Sequence, residues 1–353
     1  GNTLWPLSRK KYPKQFINIC EGRSLLQDTI VRNLPFADEF IIVTNEMYSD
    51  IIETQMYAFQ GLSYRIIYEE SSRGTFAAVT LASLFLNSSE IMMVTVSDLV
   101  IKSGDYKSII LQAKEYAKEG NIANIINEKE HIGIYNKMVS ELYPDINSEK
   151  RKSLKKSLRS VRHVIHVPLD VMVQFSIKSV QNDFLRKTDK IVNVYSELNC
   201  KDIDNICDLG QVGYQIYSDN IIEKNCSDTL LINTAEKHLV VANNVDNIAV
   251  INTDDATYIS LKENIEDIKN VIADKPYFES SRISFRNWGT HEILVSTEKY
   301  KVKRVVVYPG KSMKLHKHEH RMESWTIAEG SAVITVGDTE KEYFAHDTVS
   351  VPI

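Results

Sequence analysis

Three places in this 353-residue chain have residue types and spacings that can do chemistry. The first is the opening stretch, Gly1-Asn2-Thr3-Leu4-Trp5-Pro6-Leu7-Ser8-Arg9-Lys10-Lys11-Tyr12-Pro13-Lys14-Gln15-Phe16. A glycine at the lip of a turn lets backbone N–H groups approach a phosphate, and a following helix would present its positive end there. Two prolines bracket a basic segment and Lys14 follows the second. A stiff loop therefore carries an ammonium able to neutralise phosphate as a point charge. The same residues also suit a basic surface loop packed by Trp5 and Phe16. The second place is Ser97-Asp98, directly after the apolar run 91–96, where a carboxylate would face the ligand crevice of a parallel sheet. The third is the series Gly310, His316, Lys317, His318, Glu323 and Gly330. Strand alternation would put His316 and His318 on one side of a strand, with Glu323 returning on its neighbour. Neutral imidazoles with a carboxylate suit Zn²⁺ or another divalent metal. An ordinary charged hairpin would carry the same residues.

The elements that must position these groups alternate. Residues 24–33 read as a capped amphipathic helix, 40–44 as a buried strand, 49–58 as a helix and 64–68 as a strand. A small-residue helix over 75–86, a strand over 91–96 and a helix over 106–118 continue the rhythm. This βαβ order predicts a doubly wound α/β sheet with ligands at the carboxyl ends of its strands. The basic run 148–156 reads as a solvated helical face. Between 217 and 260, short apolar runs separated by polar turns suggest a small β-solenoid or sheet. Ile265, Ile268 and Ile272 line one face of a helix over 262–273, which Lys275-Pro276 ends. Asp254 and Asp255 read as capping and turn residues.

Composition bounds the function. Hydrophobic residues make up 43% and charged residues 25%, and the formal charge is −5. These values fit a globular protein of more than one domain and argue against general nucleic-acid binding. The four cysteines (Cys20, Cys200, Cys207, Cys226) form no CxxC and no regular framework, which suits reduced thiols in the cytoplasm. No apolar run reaches the length of a membrane span. The chain starts inside one motif and ends inside another, and so reads as cut at both ends.

LWPLSR followed by YPKQF resembles the signature of sugar-nucleotide pyrophosphorylases, in particular the long bacterial mannose-1-phosphate guanylyltransferases. The resemblance implies a Rossmann-like nucleotidyltransferase domain over 1–215, divergent after about 126. A short-strand β linker domain over 216–280 and a partial cupin β-barrel over 281–353 would follow. Gly1 matches the last glycine of the family's loop, and Thr3 stands where a catalytic arginine is expected. The resemblance assigns Lys14 to phosphate, and Gly1, Arg9, Arg73 and Thr75 to the nucleotide. Arg73 and Thr75 belong to Glu69-Glu70-Ser71-Ser72-Arg73-Gly74-Thr75, with Gly74 in place of an asparagine. Asp98 would hold Mg²⁺, with Leu99 replacing a histidine, and Asp202 would be the second carboxylate. Phe175 to Asp183 echoes a family helix, with Lys178 at its aspartate position. Arg286-Asn287-Trp288-Gly289-Thr290 resembles the opening of the family's isomerase domain, and the spacing from Gly310 to Gly330 matches the first cupin signature. There Arg321 would face a phosphate or enediolate, His316, His318 and Glu323 would bind metal, and His320 would lie outside the barrel. The implied substrates are GTP and a sugar phosphate, without nucleic acid or membrane, and a homodimer is compatible with them. Two other readings stay open: a non-catalytic homologue that binds nucleotide or a partner, and an isomerase whose front domain is scaffold.

Overall fold

The computed structural model describes residues 3–20, 22–87, 90–127, 130–135, 148–161, 163–173, 175, 190–214, 218–272, 275 and 279–353. Gly1, Lys178 and most of the 175–183 echo lie outside these residues. The chain divides into two compact units, Gly1–Val305 and Val306–Ile353.

A 3-10 turn (Lys14–Phe16) leads through β1 (Asn18–Cys20) and β2 (Arg23–Ser24) into α1 (Leu25–Asn33). Ser24 caps α1 reciprocally with Gln27, which satisfies two otherwise orphaned donors. Next come β3 (Phe40–Asn45), α2 (Ser49–Met56), β4 (Tyr64–Glu69), α3 (Thr75–Ser83), β5 (Met92–Val94), β6 (Leu99–Ser103) and α4 (Tyr106–Lys118). They are followed by β7 (Ile122–Asn127), β8 (Glu130–Tyr135), α5 (Ser148–Ser157), β9 (Arg159–Val161), β10 (Val164–Val167) and α6 (Leu169–Met172). The α/β order expected from the sequence is present. The strands lie in two four-stranded sheets, β3-β4-β10-β9 and, with β11 (Ile191–Tyr195), β11-β7-β8-β5. β3 pairs with β4 and β4 with β10 in parallel across intervening helices, whereas β7 and β8, consecutive in sequence, pair antiparallel. The main core lies on the α3 face of the first sheet, where Ile67, Phe76, Leu81, Ile165 and Met172 are buried together.

The active region depends on one further pairing. β12 (Asn199–Asp202) runs antiparallel to β6, with Asp202 opposite Leu99. The short α7 (Ile206–Gln211) follows, capped by Asn205 and Asp208.

Residues 221–252 form a two-coil solenoid within the stretch expected to hold short strands. β13 (Ile221–Lys224) lies parallel to β15 (Val240–Asn243), and β14 (Leu230–Asn233) to β16 (Ile248–Asn252), both offset by 19 residues (240 − 221 and 249 − 230). The corners sit at Asn225, Asp228, Asn244 and Asn247, all with positive φ, which Asn and Asp tolerate best among residues with a Cβ. β17 (Thr257–Leu261) closes the second coil antiparallel to β16. The helix expected over 262–273 is instead a 3-10 turn (Lys262–Asp267) running into α8 (Ile268–Ile272). A tighter turn brings residues three apart into line, so Ile265 and Ile268 both point inward. β18 (Ile283–Arg286), β19 (Gly289–Ser296) and β20 (Lys301–Val307) then form a sheet.

In the second unit β21 (Glu323–Thr326) pairs with β24 (Thr348–Val351), and β22 (Ser331–Val336) with β23 (Thr339–Phe344), all antiparallel. Residues 308–322 are not in a strand, so the alternation expected for His316 and His318 does not apply. Six consecutive His, Lys, Glu and Arg residues, 316–321, offer no apolar face that strand pairing could bury.

Candidate active site

Lys14, Asp98 and Asp202 come from three segments far apart in sequence, and the fold brings them together. Pro13 starts the 3-10 turn that carries Lys14, whose Nζ lies 3.0 Å from Asp98 Oδ2 and 3.9 Å from Asp202 Oδ1. It also donates to the Ile203 carbonyl at 2.6 Å and lies 3.3 Å from Asp204 Oδ1. The β6–β12 register causes this convergence. Asp202 is opposite Leu99, and the Ile203 N–H donates to the Asp98 carbonyl at 3.1 Å, so the two carboxylates start from neighbouring backbone. Burial alone would lower the Lys14 pKa, but Asp98 and then Asp202 and Asp204 outweigh it and raise it above the ordinary lysine value. The ammonium therefore stays charged at neutral pH. Gln15 Nε2 reaches Asp98 Oδ2 at 3.5 Å.

A second cluster marks the carboxyl end of β4. Glu69 is only 4% exposed, and its Oε1 has no hydrogen-bond partner among the described residues. Burial pushes its carboxyl up to about 7. Arg73 Nε is likewise buried without a partner among them. Gly74, at φ +86°, turns the chain between them and Thr75, the first residue of α3, and no side chain caps that helix. A buried acceptor and a buried donor, both orphaned beside a helix start, are what a bound polar ligand would satisfy. Sequence reasoning singled out Arg73 and Thr75. Glu69 stood in the same motif without a role, because its burial follows from strand pairing.

Arg9 is elsewhere. Its side chain is 1% exposed and its Nη2 donates to Asp255 Oδ1 at 2.7 Å. The Thr3 hydroxyl is buried with no partner among the described residues, and Leu99 is 1% exposed in the core.

In the second unit, His318 Nε2 lies 3.0 Å from Glu323 Oε1, and the His316 and His318 rings are 5.1 Å apart. Arg321 Nε donates to Glu323 Oε1 at 3.0 Å, and its Nη2 lies 3.1 Å from His318 Nε2. Hydrogen bonds from Trp325 and Arg321, with the nearby charges of His318 and Arg321, outweigh partial desolvation and hold the Glu323 carboxyl below its ordinary range.

Among the described residues, no group of three or more His, Cys, Asp or Glu is arranged to hold a metal ion. The front cluster still fits Mg²⁺ in kind. That cation takes one or two carboxylates with phosphate oxygens, and Asp98 and Asp202 already converge on a cation. The His316, His318 and Glu323 trio does not fit as it stands, because Arg321 engages the ring nitrogen and carboxylate oxygen a metal would need.

Residues 1–135 match the Nucleotidyl transferase family and residues 273–353 the Mannose-6-phosphate isomerase C-terminal family. The fold is thus that of a nucleotidyltransferase followed by an isomerase-type β region. Mannose-1-phosphate guanylyltransferase 2 of Escherichia coli O157:H7 is 25% identical over 100% of this chain and 88% of its own length. A mannose-1-phosphate guanylyltransferase of Klebsiella pneumoniae is 24% identical, over 100% and 89%. Over its full length the chain is thus similar to mannose-1-phosphate guanylyltransferases, with a nucleotidyl transferase match at its front and a mannose-6-phosphate isomerase match at its end. In structure, the mannose-1-phosphate geranyltransferase of Thermus thermophilus aligns with a TM-score of 0.60 and 17% identity, over 77% of this chain and 95% of that one. The mannose-6-phosphate isomerase of Helicobacter pylori aligns with a TM-score of 0.50 and 18% identity, over 54% and 95%.

Proposed function

We propose that the chain forms GDP-mannose from GTP and mannose 1-phosphate, releasing pyrophosphate, and that its last 73 residues (281–353) derive from a mannose-6-phosphate isomerase domain. The observation that carries this reading is the convergence of Lys14, Asp98 and Asp202. A phosphate oxygen of the sugar phosphate attacks the α-phosphorus of GTP in line, and the bond to pyrophosphate breaks. The protein's work is then positioning and charge neutralisation. Mg²⁺, when bound, would supply positive charge against the phosphates. Asp98 and Asp202 would hold that cation, and Lys14 would turn its ammonium to phosphate as the carboxylates take up the metal. Arg73 and the start of α3 at Thr75 would bind nucleotide phosphate or ribose. Glu69 would accept a hydrogen bond from an N–H or O–H of the nucleotide, which answers its orphaned oxygen. In the isomerase half, Arg321 would meet the sugar's phosphate, and no metal-dependent step is assigned to His316, His318 and Glu323. We place the domain boundaries at 215/216 and 280/281, and the protein in the cytoplasm as a soluble enzyme able to dimerise.

A second reading, binding without turnover, is favoured by Thr3 and Leu99, which stand where the family carries arginine and histidine. Titration of GTP in the presence and absence of Mg²⁺ tests both. Magnesium-dependent binding lost in Asp98→Asn supports the site, and no binding at millimolar GTP removes both readings. Pyrophosphate release then separates them.

A further inference from the structure

We propose that Arg9 and Asp255 form a positioning pair for the nucleotidyl-transfer site, and that the β linker thereby holds the loop presenting Lys14. Its catalytic consequence rests on the function proposed above; its structural content does not. The two side chains are 246 residues apart in sequence, 1% and 11% exposed, and joined at 2.7 Å. Thr253 donates its hydroxyl to the same Asp255 oxygen at 3.0 Å, fixing the carboxylate from its own side. The Arg9 guanidinium lies 5.1 Å from the Trp5 ring centre, and Trp5 packs on Ile268 and Ile272.

Arg9 is connected to Lys14 by backbone. Arg9 and Tyr12 exchange both main-chain hydrogen bonds, at 2.8 and 3.0 Å, closing a tight turn. Pro13 and Lys14 follow at once, with φ fixed at the proline. Tyr12 is held in turn by stacking on Phe285, ring centres 5.0 Å apart and nearly parallel. The Lys11 N–H donates to the Glu279 carbonyl at 2.9 Å. The far side of the turn that aims Lys14 is therefore anchored at Asp255, Glu279 and Phe285. Loss of Asp255 would take an anionic partner from a buried guanidinium, and the turn would shift to compensate. A shift of about 1 Å at Lys14 is enough to matter for in-line transfer.

The test compares the wild-type chain with Asp255→Asn and Asp255→Glu by amide hydrogen exchange and by reductive pyridoxal-phosphate labelling of Lys14, read by mass spectrometry. Affinity for GTP with Mg²⁺ is measured alongside. In Asp255→Asn, exchange across residues 4–17 should rise on the order of tenfold while β3 and β4 stay protected. Lys14 labelling should quicken and GTP affinity fall, with Asp255→Glu between the variants because the charge is kept and only its position changes. Unchanged loop exchange and labelling would overturn the proposal. So would a rise of equal size in β3 and β4, which marks a purely structural pair. If Asp255→Asn does not fold, Asp255→Glu carries the same readouts. If the wild-type chain fails to bind GTP, the functional reading falls, while exchange and labelling still decide the positioning claim.

Discussion

Lys14 and Glu69 are opposite solutions to burying a charge. Lys14 is 12% exposed and keeps its charge because three carboxylates and a carbonyl surround it. Removing it as Lys14→Met would leave Asp98 and Asp202 facing each other unneutralised, so divalent cations should bind about tenfold more tightly while GTP binds more weakly. Titration with Mn²⁺ followed by electron paramagnetic resonance checks the first effect, and equal or weaker Mn²⁺ affinity would refute it. Glu69 has no such partner among the described residues, and its folded pKa of about 7 lies above the ordinary value of 4.5. The folded state therefore holds a proton that the unfolded chain has released between those values, and stability falls as pH rises from about 4.5 to about 7. Glu69→Gln, which stays neutral, should gain on wild type across that window and hold its lead above it. Melting curves at pH 5 and pH 8 should show the gap widening by roughly 2–4 °C. A gap independent of pH would show that Glu69 is paired in solution.

At the scale of elements, the solenoid bears most directly on the site, because Asp255 follows its second coil. Asn233, fully buried, donates to the carbonyls of Asn220 and His238 at 3.2 and 2.6 Å. Its side-chain oxygen accepts from the Ala235 N–H and from Asn252 at 3.1 and 2.9 Å. Asn233→Ala would strand several buried groups together and should cost on the order of 2–4 kcal/mol, measured by urea unfolding. A loss below about 0.5 kcal/mol would mean that water replaces the network. This stretch also shows where sequence reading stops. Short strands and polar turns were legible, but the 19-residue offset emerges only when Asn225 stacks on Asn244 and Ser227 on Asp246. In the front sheet, periodicity located α1, α2 and α4 closely, since each buries one face, and apolar runs located β3, which is half-buried, and β4. Periodicity fails at residues 308–322, where side-chain charge rather than alternation gathers His318, Arg321 and Glu323. Lys14, Asp98 and Asp202 were legible through motif resemblance. Asp204 was not, although its place two residues after Asp202 offered a signal. The burial of Arg9 was invisible because its partner is 246 residues away.

For the whole molecule, the question is whether a site with Lys14, Asp98 and Asp202 in place still transfers a guanylyl group when Thr3 stands in the arginine position. An arginine there would give a bidentate donor to the phosphates as charge develops, and loss of one such contact typically slows a reaction by about 10²–10³. The most direct measurement is pyrophosphate release from GTP and mannose 1-phosphate with Mg²⁺, run for the wild-type chain, Asp98→Asn and Thr3→Arg. Release in the wild type should be slow and magnesium-dependent, should fall at least about a hundredfold in Asp98→Asn, and should rise by a similar factor in Thr3→Arg. Release that survives Asp98→Asn, or that proceeds equally without Mg²⁺, would contradict it.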